Sequence, residues 1–319
     1  MGKQATAINR LNGKALHNTE LPEPRFRITN YALLLKPRVM SLVVFTAAAG
    51  MLLAPGGIAS IGPVTAAIAV LCIAIGAGAS GAINMWYDRD IDLNMLRTQN
   101  RPLPAGRLQP LEALSFGVFL ACGSVFAMAW WVNWVSAALL ALTICFYVFI
   151  YTVWLKRRTP HNIVIGGASG ALPPAIGWAS VTGDVGLGAI LLFAIIFLWT
   201  PPHTWALALF RRGDYEAAGV PMLPVVAGER KTKLHMLYYT AGLIPVTLLP
   251  VAVGMSGAIY GITAMALGIG LACHAWRVWK DDVPDGGSTA RPMFFFTLIY
   301  LFLIFVGLLA DRALFLPVL

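Results

Sequence analysis

The chain has 319 residues, 58% of them hydrophobic and 12% charged, with a formal net charge of +9. That balance excludes an ordinary soluble domain and a disordered chain. It also argues against nucleic-acid binding, because the basic residues are divided among short segments beside apolar runs and no nucleic-acid motif occurs.

Residues 1–30 are polar and lack a compact apolar core beside a small-residue cleavage site, so a mobile tail without a cleavable signal is expected, ahead of one transmembrane domain over 31–319. Apolar, charge-poor stretches then recur at about 39–54, 62–84, 113–131, 134–155, 162–181, 185–210, 236–254, 257–276 and 293–310. Most are long enough to cross the hydrocarbon as helices. The first depends on whether Leu33–Leu35 extend it past Lys36-Pro37-Arg38. The predicted fold is all-α, a polytopic membrane bundle of nine transmembrane helices. With the N-terminus in the cytoplasm, every Lys and Arg except Arg312 falls on the cytoplasmic side, which fixes the orientation and puts the C-terminus outside. Cys72, Cys122, Cys145 and Cys273 lie within predicted spans and form no Cys-x-x-Cys pair, so buried thiols are expected rather than disulfides or zinc.

The connections on the cytoplasmic side are long and polar, and two of them carry the chemistry. At the end of the second span, Asn84, Asp88 and Asp92 fall four apart, which stacks them on one helix face over roughly 12 Å. Carboxylates where a helix leaves the membrane need a cation, a base or water. An amide and two carboxylates suit Mg²⁺ shared with a phosphorylated ligand, whereas a solvated helix end is the plainer reading. Arg97 and Arg101 follow, then Pro102-Leu-Pro-Ala-Gly-Arg107; they read either as clamps for a diphosphate or as ordinary positive-inside charges. After the sixth span, Asp214 and Glu216 precede Pro221-Met-Leu-Pro and then Ala-Gly-Glu-Arg230, a similar order that suggests a parallel internal duplication. Lys36, Arg38 and Lys156-Arg157-Arg158 either reach anionic ligand groups or anchor helices. Pro173-Pro174 and Pro201-Pro202 are expected to interrupt the fifth and sixth helices. His203 follows the second pair, and His161 stands at the cytoplasmic start of the fifth helix. No P-loop string occurs.

Together these strings carry a resemblance. Asn84-Met-Trp-Tyr-Asp88-Arg-Asp-Ile-Asp92 resembles the first aspartate-rich motif of the intramembrane UbiA-type prenyltransferases. Lys36-Pro-Arg38-Val, Arg97-Thr-x-Asn100-Arg101-Pro-Leu-Pro, Gly170-Ala-x-Pro-Pro-x-Ile-Gly-Trp178, Thr200-Pro-Pro-His203-x-Trp205-Ala-Leu and Asp214-Tyr-x-x-Ala-Gly-x-Pro-Met-Leu-Pro224 are similar to its haem-modifying branch. The similarity runs from the first helix to the connection before the seventh.

The resemblance implies a UbiA-type prenyltransferase fold in the cytoplasmic (inner) membrane, with an active site facing the cytoplasm. It implies transfer of the farnesyl group of farnesyl diphosphate to a vinyl group of haem B, with water addition, giving haem O and diphosphate. Mg²⁺ is the implied cofactor, and haem B is a substrate. A downstream haem-modifying enzyme or a terminal oxidase assembly is the implied protein partner. In the roles it assigns, Asn84, Asp88, Asp92, Arg97 and Arg101 are catalytic, and Lys36, Arg38, Arg97 and Arg101 bind diphosphate. Asn84, Asp88 and Asp92 hold the metal, with Asp214 at a looser second site, since the second Asp-x-x-x-Asp motif usual in the wider family is absent. His203 and His161 are haem candidates, through iron or a propionate, with a hydrogen-bonded core histidine as the plainer reading of His203. A prenyltransferase acting on an aromatic quinone precursor would share the first motif but keep the second. A transporter would share the broken helices, yet here no acidic group is central in a span.

Overall fold

The computed structural model describes residues 27–314. The expected tail lies outside them up to residue 26, while Ile28–Asn30 open the first helix. The helices in chain order are α1 (Ile28–Leu34), α2 (Pro37–Leu53), α3 (Gly57–Ile61), α4 (Pro63–Tyr87), α5 (Arg89–Leu93), α6 (Pro110–Trp131), α7 (Trp134–Cys145, continued by a π-helix over Phe146–Leu155), α8 (Asn162–Ala171), α9 (Pro173–Thr182), α10 (Leu187–Phe210), α11 (Arg212–Ala217), α12 (Leu223–Val226), α13 (Gly228–Ala252), α14 (Ala258–Lys280) and α15 (Ala290–Leu314).

Among the described residues, seven helices are singly long and apolar enough to cross a membrane, and α1 with α2 gives an eighth if that pair, bent by 55°, is one span. The stretch expected as the fifth span is divided into α8 and α9, ten residues each, about 15 Å apiece and too short to cross alone. The protein is therefore an all-helical, multi-pass integral membrane protein in which the nine expected segments are recognisable but are not nine continuous helices. Large side chains such as Phe119, Phe126, Trp130, Ile262 and Phe302 remain on the outside of the bundle, as lipid-facing positions require.

Two apolar cores fill the bundle. One joins α2, α4, α6, α7 and α9 through residues such as Met51, Ile73, Met128, Leu140 and Ile176. The other joins α10, α13, α14 and α15 through Leu192, Met236, Tyr260 and Phe305. The half-length α9 stitches them together, because Gly50 and Gly177 let it approach α2 to backbone contact: a Cβ on either would strike the carbonyl of Pro174 or Ala47.

The two proline pairs behave differently. Pro173 and Pro174 occupy the first turn of α9, where a missing N–H costs nothing. Pro201 and Pro202 lie inside α10, which continues through them; the expected interruption of the sixth helix is not found. The Thr200 hydroxyl bonds the Ile196 carbonyl at 2.8 Å, while the carbonyls that Pro201 and Pro202 leave without an i+4 N–H are those of Phe197 and Leu198. The thiols also depart from expectation: Cys72 is buried, while Cys122, Cys145 and Cys273 are exposed on the bundle surface.

Candidate active site

The carboxylate stripe forms where α4 ends. The long helix stops at Tyr87, Asp88 takes a non-helical conformation (φ −88°, ψ 7°), and the chain resumes as α5. The i→i+4 backbone bonds nevertheless persist, Asp88 N–H to Asn84 at 2.9 Å and Asp92 N–H to Asp88 at 2.9 Å. Asn84, Asp88 and Asp92 thus keep the expected register and are all buried, at 3%, 0% and 2% exposure. Burying two carboxylates requires close cations, and these arrive from three other segments.

The first is the elbow between α1 and α2. Lys36 there has φ +51° and ψ +56°, a left-handed conformation that costs a non-glycine residue about 1–2 kcal/mol. Its Nζ donates to Asn84 Oδ1 at 2.8 Å. Gly78 and Gly81 of α4 make room for the elbow, since a Cβ at either would press on Leu35 or on the Lys36 stem. The second is the end of the π-helix. There Lys156 N–H bonds Tyr151 O, five residues back, at 2.8 Å, a wider turn than the α-helix allows. Lys156 forms a close ion pair with Asp88 Oδ2, and Arg157 stands 3.5 Å from Asp88 Oδ1. Thr152, one turn earlier, accepts from Asn84 Nδ2 at 3.1 Å, and that same amide nitrogen donates to Asp88 at 2.7 Å. Buried Asn162 secures the turn by bonding Thr159 O at 2.8 Å and Lys156 O at 3.3 Å. The third segment follows α5: Arg101 pairs with Asp92 at 2.7 Å, while the Thr98 hydroxyl donates to the Asp92 carbonyl at 2.8 Å.

On the outer side, Arg157 holds Asp90 with two bonds of 2.7 Å, also donates to Tyr87 O at 3.0 Å, and lies over the Tyr87 ring. That guanidinium keeps the Asp90 carboxyl below the usual carboxylate range.

The structure therefore brings Lys36, Asn84, Asp88, Asp92 and Arg101 together. Arg97 instead donates to the Tyr215 hydroxyl at 3.2 Å and lies over its ring, which ties the first connection to the second. Ile91 and Met95 pack with Tyr215, Val220 and Met222 around that tie. Among the described residues, Asp214, beside Tyr215, has one ion pair, to Arg211 at 3.8 Å, and its buried Oδ2 has no hydrogen-bond partner. Arg38 and His161 are exposed, and neither side chain joins the stripe. His203 lies in a separate pocket of rings: Trp199 and Phe294 stack on it at 4.3 and 4.7 Å, and Nδ1 meets Thr297 Oγ1 at 2.7 Å. Lys156, Arg157 and Thr152 are the site contributors that the motif spacing alone did not single out. The basic triplet was their one visible signal, and it fits a helix anchor equally well.

Among the described residues, no three His, Cys, Asp or Glu side chains gather closely enough to hold a metal by themselves. The stripe still fits Mg²⁺, a hard cation commonly held by one or two carboxylates and completed by water and phosphate oxygens. Asn84 Oδ1 and the Asp88 and Asp92 carboxylates supply that donor set, and the Asp214 oxygen that lacks a hydrogen bond is a further hard donor on the second connection.

The chain belongs to the UbiA prenyltransferase family, whose model matches residues 43–309. Within it, the chain is similar to proteins named protoheme IX farnesyltransferase. The one from Granulibacter bethesdensis is 56% identical over 89% of this chain and 90% of its own length, and the one from Parvibaculum lavamentivorans is 57% identical over 88% of each. Solved structures share the fold at low identity. A digeranylgeranylglyceryl phosphate synthase superposes with a TM-score of 0.74 at 17% identity, covering 89% of this chain and 98% of that one. A UbiA homologue from Archaeoglobus fulgidus bound to GPP and Mg²⁺ gives 0.64 at 16% identity, over 88% and 99%.

Proposed function

We propose that this protein transfers the farnesyl group of farnesyl diphosphate to a vinyl group of haem B, with water addition, releasing diphosphate and forming haem O. One observation carries the reading: Asn84, Asp88 and Asp92 are buried at the end of a membrane helix with Lys36, Lys156, Arg157 and Arg101 around them. Such a site suits an anionic leaving group bound beside a divalent cation. The relatives named protoheme IX farnesyltransferase support the choice of acceptor and donor.

Asn84, Asp88 and Asp92 would hold Mg²⁺, with Asp214 at a second position; when bound, the ion supplies Lewis-acid stabilisation of the departing diphosphate. The chain's own cations do the remaining electrostatic work. Lys156 and Arg101 stand beside the carboxylate oxygens and Lys36 beside the Asn84 amide oxygen, and they supply fixed donors where charge develops on the leaving oxygen. Tyr215 holds the Arg97 guanidinium between the two connections, ready to meet a further phosphate oxygen. Burial of the stripe limits water beside the allylic cation until coupling. The catalytic end faces the cytoplasm in the inner membrane, as the concentration of basic residues on that side supports. Residues 31–319 act as a single catalytic domain, which hands its haem product to a downstream haem-modifying enzyme or terminal oxidase assembly.

The test is purified protein given haem B and farnesyl diphosphate, with and without Mg²⁺. Mg²⁺-dependent haem O and diphosphate are expected. Prenylation of an aromatic acid with no haem product would replace this reading by the quinone-precursor one, and passage of a solute without any product would point to transport.

A further inference from the structure

The proton on His203 is set by its neighbour. Thr297 Oγ1 lies 2.6 Å from the Phe294 carbonyl, three residues earlier on α15, and 2.7 Å from His203 Nδ1. A threonine hydroxyl has one hydrogen. The short contact to Phe294 O uses it, because two bare oxygens at that distance would repel. Thr297 therefore accepts from His203, which places the imidazole proton on Nδ1 and leaves Nε2 as a lone pair. The Trp199 and Phe294 rings, inclined to the imidazole by only 15° and 23°, stop it from turning. Trp199 is itself fixed, donating through Nε1 to Thr297 O at 2.8 Å. One residue thus anchors both the histidine and one wall of its slot. His203 is half-buried, and among the described residues Nε2 has no hydrogen-bond partner.

We infer that Thr297 is a positioning residue that presents the Nε2 lone pair of His203 to the iron of the porphyrin substrate. The inference rests on the reaction proposed above and decides between the two modes of haem recognition. A propionate needs a donor, and a neutral ring with its proton on Nδ1 offers none at its free edge. Iron needs an electron pair. A hydrogen-bonded second nitrogen is also what fixes ring orientation in metal-binding histidines.

Titration of haem B into the purified full-length protein, followed by absorption and paramagnetic-resonance spectra, tests this alongside haem O formation. Wild type should give an axial-imidazole spectrum that His203→Ala loses. Thr297→Val, nearly isosteric but without the acceptor, should weaken haem binding by about 10- to 100-fold and shift the spectrum, whereas Thr297→Ser should restore both. An unchanged spectrum and affinity in Thr297→Val, or an imidazole signature that survives His203→Ala, would overturn the assignment while haem O synthesis by wild type leaves the reaction standing. A wild-type protein that makes no haem O would remove the reaction and the assignment together.

Discussion

The connections that carry Asp88 and Asp214 share a plan but not a charge balance. Each follows a long helix, α4 or α10, opens with a short acidic helix, α5 or α11, and then reaches a Leu-Pro, within a turn in the first and at the start of α12 in the second. In the first, the Asp88 and Asp92 side chains are 0% and 3% exposed and face Lys156, Arg157 and Arg101. In the second, Asp214 is 12% exposed with one ion pair at 3.8 Å, and Glu216 is on the surface. Carboxylates sealed from water persist only where cations compensate them. That compensation also fixes them in place before a substrate arrives. On the proposed function, the first connection is thus the preorganised part of the site, and the second would contribute a single looser oxygen.

If so, perturbations should rank with that asymmetry. Chelating Mg²⁺ should reduce haem O formation to background, with restoration on re-addition; turnover that persists in excess chelator would contradict metal use outright. Asp88→Ala should lower turnover by at least about 100-fold, the scale on which single transition-state stabilisers act, and membrane insertion should be retained. Near-normal turnover in that variant would move the site elsewhere. Arg101→Ala removes a charge-assisted bond worth about 1.5–3 kcal/mol, so kcat/KM for farnesyl diphosphate should fall roughly 10- to 100-fold; an unchanged value would take Arg101 out of donor binding. Asp214→Asn should cost about tenfold or less in turnover and shift the Mg²⁺ dependence to higher concentration. A loss as large as that of Asp88→Ala would make the two connections equivalent and end the asymmetry argued from their burial.

The asymmetry was partly legible in the residues themselves. The register of Asn84, Asp88 and Asp92 follows from helix geometry, and the bend at Asp88 does not disturb it because the i→i+4 bonds continue. The want of a second spaced aspartate pair likewise pointed to an unequal second site. Lys156 was not legible as a partner of Asp88. It depends on the π-helix over Phe146–Leu155, and an uninterrupted apolar run reads alike whichever way its turns are wound. Arg97 was expected on diphosphate and is found on Tyr215, 118 positions away, a contact only the docking of the two connections creates. Pro201-Pro202 misled in the opposite direction. A proline pair inside an apolar run signals a break, yet α10 continues through it, packed into the apolar core through Leu192, Ile195, Trp199 and Trp205.

The smallest expected effect concerns Asp90, the one acid of the first connection that stays outside. Its side chain is 60% exposed although Arg157 holds it with two bonds. Exposed ion pairs contribute about 0–1 kcal/mol, so Asp90→Asn should lower the melting temperature in detergent only slightly. Because Arg157 depresses the Asp90 carboxyl in the folded state, the stabilisation is complete above the ordinary carboxylate pKa of about 4 and is lost as pH falls through the lower folded value. The melting difference between wild type and Asp90→Asn should therefore be constant above about pH 5 and close in more acidic solution. Turnover is the sharper readout. Arg157 freed from Asp90 retains Asp88 3.5 Å away and the Tyr87 carbonyl, so activity should fall at most a few-fold. A drop comparable to that of Arg101→Ala would mean that the outer pair, rather than the buried one, sets the position of Arg157, and the contrast between the connections would then rest on a surface contact as well as on burial.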